Sequence, residues 1–267
     1  MRIAQIVLSG ASAFERKLQR IDAAALAGQH EVVAVSLEEI KRVRADVAHV
    51  YATGELPTAP FVGFPLPYLS SAAMPQSRWS FRRPVPPKQV VTPLTEPALP
   101  EAVDDSFFET RFTPLARDVK TVGSFARDVT RNMVDQTLSR IHRFRSDVTW
   151  ALISHEPTPR DLAAVDVWAD PAVSESDYGG FTAEALVFGL PVVASRTAIN
   201  AQRLEQGRTG FLVPPGDPNE MTHAILAALF KTEVAESKQF AARQTASKFR
   251  ARQRLRVLTA LYERLIR

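Results

Sequence analysis

Residues 166–230 read DVWADPAVSESDYGGFTAEALVFGLPVVASRTAINAQRLEQGRTGFLVPPGDPNEMTHAILAALF, and the alternation inside this stretch decides the fold class. With Val165 in front, VDVWADP is a short apolar run ending on an acid and a proline, the pattern of a strand buried on both faces. A helix is expected over about 181–188, followed by a second apolar run, PVVAS. Asp217-Pro218-Asn219-Glu220 places an N-cap carboxylate, a proline at the first helical position and an acid in the first turn, so it opens a helix through Phe230. Strands alternating with helices at this spacing call for a parallel sheet with right-handed crossovers.

The same grammar extends upstream. KTVGSF from Lys120 is a strand, DQTLSRIHRF a helix and VTWALIS a strand, and Thr158-Pro159-Arg160-Asp161 begins another helix. At the other end of the chain, RIAQIVLS reads as a first strand. Ser12 and Glu15 then form a capping box for a helix over roughly 13–27, which Gly28 stops. HEVVAVS is a second strand, Ser36 and Glu39 make a second capping box opening another helix, and DVAHVYA is a third strand. Two α/β units in tandem imply a cleft between them, and open α/β sheets take ligands beyond the carboxyl ends of their strands. The expected boundaries are 1–115, 116–240 and a basic helix over 241–267.

Residues 53–115 break the pattern, holding 12 of the 19 prolines; prolines at that density exclude long helices and leave short strands and loops. Trp79, Phe81, Arg82 and Arg83 lie there, either packed on the sheet or facing a substrate. The last thirty residues read as one long helix with Phe249, Leu255, Leu258, Tyr262 and Leu265 on an apolar stripe. From Ser237 onward nine Lys/Arg face one Glu, whereas the whole chain carries only +4. Such a basic tail suits a nucleic acid, an anionic membrane surface or an acidic groove. It lacks interleaved aromatics and any base-reading motif, which argues against nucleic acid; peripheral contact with a membrane stays open. No run of 18 apolar residues spans a bilayer, and the N-terminal MRIAQIVLSGASAF is too briefly apolar for a signal peptide. With no cysteine, disulfides, thiolate catalysis and cysteine metal sites are excluded, and a cytoplasmic setting fits.

Taken together, Asp-x-x-x-Asp-Pro, the Gly-rich turn, Glu-Ala, Gly-Leu-Pro-Val-Val-Ala-Ser and Gly-x-Thr-Gly-Phe-Leu-Val-Pro-Pro-Gly-Asp resemble the donor-binding domain of glycosyltransferase family 4. That family has the GT-B fold, two Rossmann-like domains facing a cleft, with a terminal helix that crosses back to the first domain. DVAHVYA is similar to the family's third strand, where a histidine often faces the cleft, and so marks His49. VGSFAR resembles the first strand of the donor domain. The resemblance implies transfer of a sugar from a nucleotide-sugar donor to an unknown acceptor, with retention of configuration, no metal and no cofactor.

The residue chemistry suits such a donor. Tyr178-Gly179-Gly180 directly precedes a helix, where backbone N–H groups and the positive helix end meet phosphate and glycine lets the backbone come close. Arg127 and Arg131 follow the VGSF strand and are candidates to offset charge on the departing diphosphate. Glu184 matches the glutamate that in the family accepts hydrogen bonds from the ribose. The pattern departs in two places. The acid expected eight positions before Glu184 is Ser176, with Glu175 and Asp177 on either side as candidates to contact the transferring sugar. The family's Arg and Lys after the first donor-domain strand are replaced, with Ser124 and Val129 at about those places. Besides an enzyme, these departures leave open a GT-B-fold binding or interaction protein without turnover.

Overall fold

The computed structural model describes residues 1–8, 11–36, 38–51, 68–70, 89–91, 101–114, 117–174 and 180–266. They form two compact units, Met1–Ala102 with Ala251–Arg267, and Val103–Arg250.

The first unit is built on β1 (Arg2–Val7), α1 (Ala13–Leu26), β2 (Glu31–Val35), β3 (Val47–Tyr51), β4 (Tyr68–Ser70) and β5 (Gln89–Val91), with strands in the order β2-β1-β3-β4-β5. Every strand pair is parallel. The Ser12–Glu15 capping box forms as read: Glu15 N–H donates to Ser12 Oγ at 3.3 Å and Ser12 N–H to Glu15 Oε2 at 2.6 Å. Gly28 ends α1 without a left-handed cap; Ala27 keeps right-handed geometry, and the N–H groups of Gln29 and His30 close on Leu26 O. The Ser36–Glu39 box also forms, but it opens only a 3-10 turn over Glu39–Arg42. Val43 is already extended and Asp46 N–H is bonded to Arg2 O, so the chain must enter β3 before a longer helix can grow.

The second unit runs through α2 (Ser106–Glu109), β6 (Lys120–Phe125), α3 (Asp128–Ile141), β7 (Val148–Ile153), α4 (Pro159–Ala163), β8 (Val167–Asp170), α5 (Thr182–Phe188), β9 (Val192–Ser195), α6 (Ala198–Arg203), β10 (Phe211–Val213), α7 (Pro218–Phe230) and α8 (Thr232–Thr245). Its sheet is ordered β10-β9-β8-β6-β7 and is again parallel throughout. Val122, Val148, Val167, Val193 and Val213 contribute one residue from each strand to a core closed by Met133, Ile141, Met221 and Ile225. Counting strands within each unit, both sheets follow the order second, first, third, fourth, fifth. The direction of winding therefore reverses between the first and third strand of each, and in open α/β sheets that is where ligands bind.

The tail is two helices rather than one. After α8 a 3-10 turn over Ala246–Phe249 and an extended Arg250 redirect the chain before α9 (Ala251–Ile266). Phe249 is buried in the second unit, where Val103 N–H bonds Phe249 O and Val103 bridges Arg250. Leu258, Tyr262 and Leu265 of α9 bury instead against Ile3, Leu26 and Val47 in the first unit, with Leu255 partly covered beside them. The resemblance implied such a return of the terminal helix.

Candidate functional site

In the second unit the reversal of winding falls between β6 and β8. Arg127 stands just past β6 as the N-cap residue of α3, which begins at Asp128, seven positions before the helix read from the sequence. Its extended backbone, φ −139° and ψ 134°, turns the side chain toward the end of β8. There its guanidinium donates to the carboxylate of Asp170, which is buried. Asp170 Oδ2 also accepts from Thr182 Oγ1 at 3.0 Å and from Asn200 Nδ2 at 2.9 Å. Asn200 is placed in turn by donating to Ser195 O at 3.1 Å and accepting from Arg203 Nη1 at 3.2 Å. One carboxylate thus ties the ends of β6, β8 and β9 to the starts of α5 and α6. A buried carboxylate held by a guanidinium and two neutral donors satisfies the rule that buried charge be paired and bonded.

Gly180 packs directly on this carboxylate. A Cβ at position 180 would lie 2.1 Å from Asp170 Cγ, so any larger residue displaces the charged group. The carbonyl of Gly180 accepts from Trp168 Nε1 at 2.7 Å. Phe181 follows in the left-handed region at φ 53°, buried, with its ring edge-on to Phe125 at 4.8 Å. A bulky residue at positive φ persists only where its surroundings over-determine it, and such positions cluster at functional sites. Glu184 lies in the first turn of α5 and is buried with every other residue of that helix. Arg131, one turn into α3, is exposed. Glu175, Asp177, Tyr178 and Gly179 lie outside the described residues, as do Trp79, Phe81, Arg82 and Arg83. Of the two positions where the family's cations are replaced, Ser124 is buried and accepts from Trp150 Nε1 at 2.8 Å, while Val129 is exposed.

The remaining candidate, His49, lies on β3. It is 0% exposed in the first unit, stacked on Tyr51 with centroids 4.0 Å apart, and its Nδ1 lies 2.7 Å from Tyr262 Oη. Burial first, and then the Arg254 charge, hold its pKa well below that of a free imidazole. Asp170, Thr182 and Asn200 join Arg127 in the carboxylate cluster and are not among the candidates that the sequence marks. Asp170 was visible as the second acid of Asp-x-x-x-Asp-Pro, but its partners lie 12, 30 and 43 positions away and no local spacing announces them.

Among the described residues no three of His, Asp and Glu converge as a metal cage, and no helix is long and apolar enough to cross a membrane. Residues 120–230 match the family described as Glycosyl transferases group 1. A phosphatidyl-myo-inositol mannosyltransferase from Mycobacterium leprae is 33% identical over 81 residues, 30% of this chain but only 21% of that enzyme's length. Among solved structures, a glycosyltransferase from Rickettsia africae superposes with a TM-score of 0.67 at 12% identity, covering 100% of this chain and 98% of that one. Anabaena HepE in complex with UDP and glucose superposes at 0.69 and 13% identity, with 98% and 99% covered. Residues 120–230 are thus similar to the group 1 glycosyl transferases, and the chain shares the GT-B fold of the solved structures on which it superposes.

Proposed function

We propose that this protein transfers a sugar from a nucleotide-sugar donor to an acceptor, with retention and without a metal ion. The observation that carries the reading is the Asp170 cluster, a built polar site at the winding reversal of the sheet that the family match covers. Arg127 is its cation, held in place by Asp170. The N-terminal end of α3 adds positive potential beside it. In the reaction the bond from the sugar C1 to the diphosphate oxygen breaks and a bond from C1 to an acceptor hydroxyl oxygen forms. The acceptor proton leaves to the departing diphosphate, whose charge Arg127 offsets. Glu184 would accept from the ribose hydroxyls, and Glu175 or Asp177 would contact the sugar. A second reading, donor binding without turnover, follows from Ser176 standing where the family has an acid.

The test is a thermal-shift and calorimetric panel of nucleoside diphosphates and nucleotide sugars in excess chelator, followed by donor hydrolysis. At least one nucleoside diphosphate should raise the melting temperature without added metal, and Arg127→Ala should remove most of the rise. Binding that appears only with a divalent cation, or not at all, would overturn the assignment; binding without hydrolysis would favour the second reading.

A further inference from the structure

The second unit has another concave surface, along the free edge of its sheet. β10 is the last strand, separated from β8 by β9. A cavity of about 480 Å³ lies along it, lined by Arg196, Phe211, Glu220, His223, Lys231 and Lys238 among others. That volume is in the range of small-molecule sites.

Lys238 is the unusual member. It is half-buried, donates to Gly207 O at 2.5 Å and sits 5.1 Å over the Phe211 ring. No carboxylate pairs with it among the described residues, and burial lowers the pKa of its ammonium. A partly desolvated charge ordinarily finds a counter-charge, because a carbonyl and a ring face offset only part of its lost hydration. Arg196 and Lys231 are exposed and also form no ion pair among the described residues. Glu220 is the lining carboxylate and is bonded to none of the three cations. Arg196, Lys231 and Lys238 against Glu220 give the lining an excess of two cations over carboxylates. Phe211, Ala224 and Ala227 add apolar surface. The geometry points to a binding site for a small organic phosphate monoester, its dianion facing Lys238 with Arg196 and Lys231 beside it, and its apolar body on Phe211. The excess of cations favours a dianion over a carboxylate, and a volume of about 480 Å³ matches a small molecule better than an extended peptide added to β10.

Phenyl phosphate serves as the probe, in calorimetric titrations of the full chain with phenol, benzoate and a polyglutamate peptide alongside. Phenyl phosphate should saturate at millimolar concentration or below, with phenol and the peptide silent and benzoate weaker. Lys238→Met keeps the apolar stem on Phe211 and should weaken phenyl phosphate at least about tenfold, the loss of one charge-assisted contact. Arg127→Ala should leave it unchanged. Lys238→Met should also melt as the parent does, showing that the fold is intact. The proposal is overturned if phenyl phosphate does not saturate, if Lys238→Met binds it like the parent, or if Arg127→Ala abolishes it. Binding of the peptide without phenyl phosphate would overturn it as well, giving the β10 edge to strand addition.

Discussion

Tyr262 Oη lies 2.7 Å from His49 Nδ1, joining the last helix to the third strand across 213 positions of sequence. Eight residues earlier on the same helix, Arg254 Nε and Nη2 donate to the two oxygens of Asp22 at 2.6 and 2.8 Å, and Tyr51 donates to the same carboxylate at 2.9 Å. Gln5 Nε2 donates to Tyr51 Oη at 3.0 Å. This buried network makes α9 an integral part of the first unit's core.

Removing residues 251–267 should therefore unfold the first unit. Leu258, Tyr262 and Leu265 would leave Ile3, Leu26 and Val47 uncovered. Each large buried side chain is worth about 1.5–3 kcal/mol, against a total stability of about 5–15 kcal/mol for a domain. The truncated chain should be insoluble or lose its cooperative melt. A soluble truncation with the parent's melting point would show α9 to be dispensable.

The Asp22–Arg254 pair is fully buried, so losing one partner leaves an uncompensated charge in the core. Arg254→Met should cost about 3–5 kcal/mol and be visible as a large drop in the denaturant midpoint. Pairing it with Asp22→Asn should recover part of the loss, since the stranded carboxylate is gone. A double variant no more stable than Arg254→Met would contradict this account.

Acid sensitivity follows from His49. Its folded pKa is depressed by burial and by Arg254, so below an unfolded value of about 6.5 the unfolded chain binds the extra proton. The stabilising contribution is complete above that value and is lost as pH falls through it, by at most about 1.4 kcal/mol per pH unit. His30 shifts in the same direction, again first through burial. The carboxylates with lowered values, Glu39, Asp147, Asp161 and Glu205, act only near and below the ordinary carboxylate range. Melting temperatures between pH 7 and 5 should therefore fall for the parent and fall less for His49→Gln. Equal slopes would remove His49 as the cause.

Local grammar was read well where one segment decides its own shape. The Ser12–Glu15 and Thr158–Asp161 boxes and the Asp217 cap all form at the residues named, and the apolar runs become parallel strands. The reading weakened where distant partners decide. Ser36 and Glu39 cap a single turn because β3 claims the chain directly afterwards. The tail breaks at Ala246–Arg250 because Phe249 and Leu258 belong to different cores. Arg127 was found as a cation, but its carboxylate and Asn200 are long-range neighbours that a linear pattern does not join.

Gly180→Ala should be poorly tolerated. The new methyl would fall on the Asp170 carboxylate, and overpacking of this kind costs about 1–3 kcal/mol. Asp170→Ala alone should also destabilise, by freeing Arg127, Thr182 and Asn200 from their shared acceptor. Combined, the two should cost less than their sum, because the shortened side chain makes room for the methyl. Strict additivity in denaturant melts would mean that the glycine is needed for some other reason.

The last prediction separates donor binding from turnover within the proposed function. Glu184 stands where the resemblance puts the ribose contact, and a hydrogen bond to a charged group contributes about 1.5–3 kcal/mol. Glu184→Ala should then weaken a nucleoside diphosphate and its full nucleotide sugar alike, by roughly 10- to 150-fold. Because Glu184 is buried, Glu184→Gln serves as the packing control. It keeps the side-chain volume, should melt near the parent, and should still lose affinity through the missing charge. Glu175→Gln and Asp177→Asn should spare the diphosphate, and whichever acid contacts the sugar should lower donor hydrolysis when replaced. Calorimetry on both ligands, with hydrolysis measured beside it, decides among the outcomes. If Glu184→Gln binds the diphosphate like the parent, the carry-over from the family fails at its best-matched residue. If Glu184 behaves as expected while both acids leave hydrolysis untouched, the sugar is handled by neither.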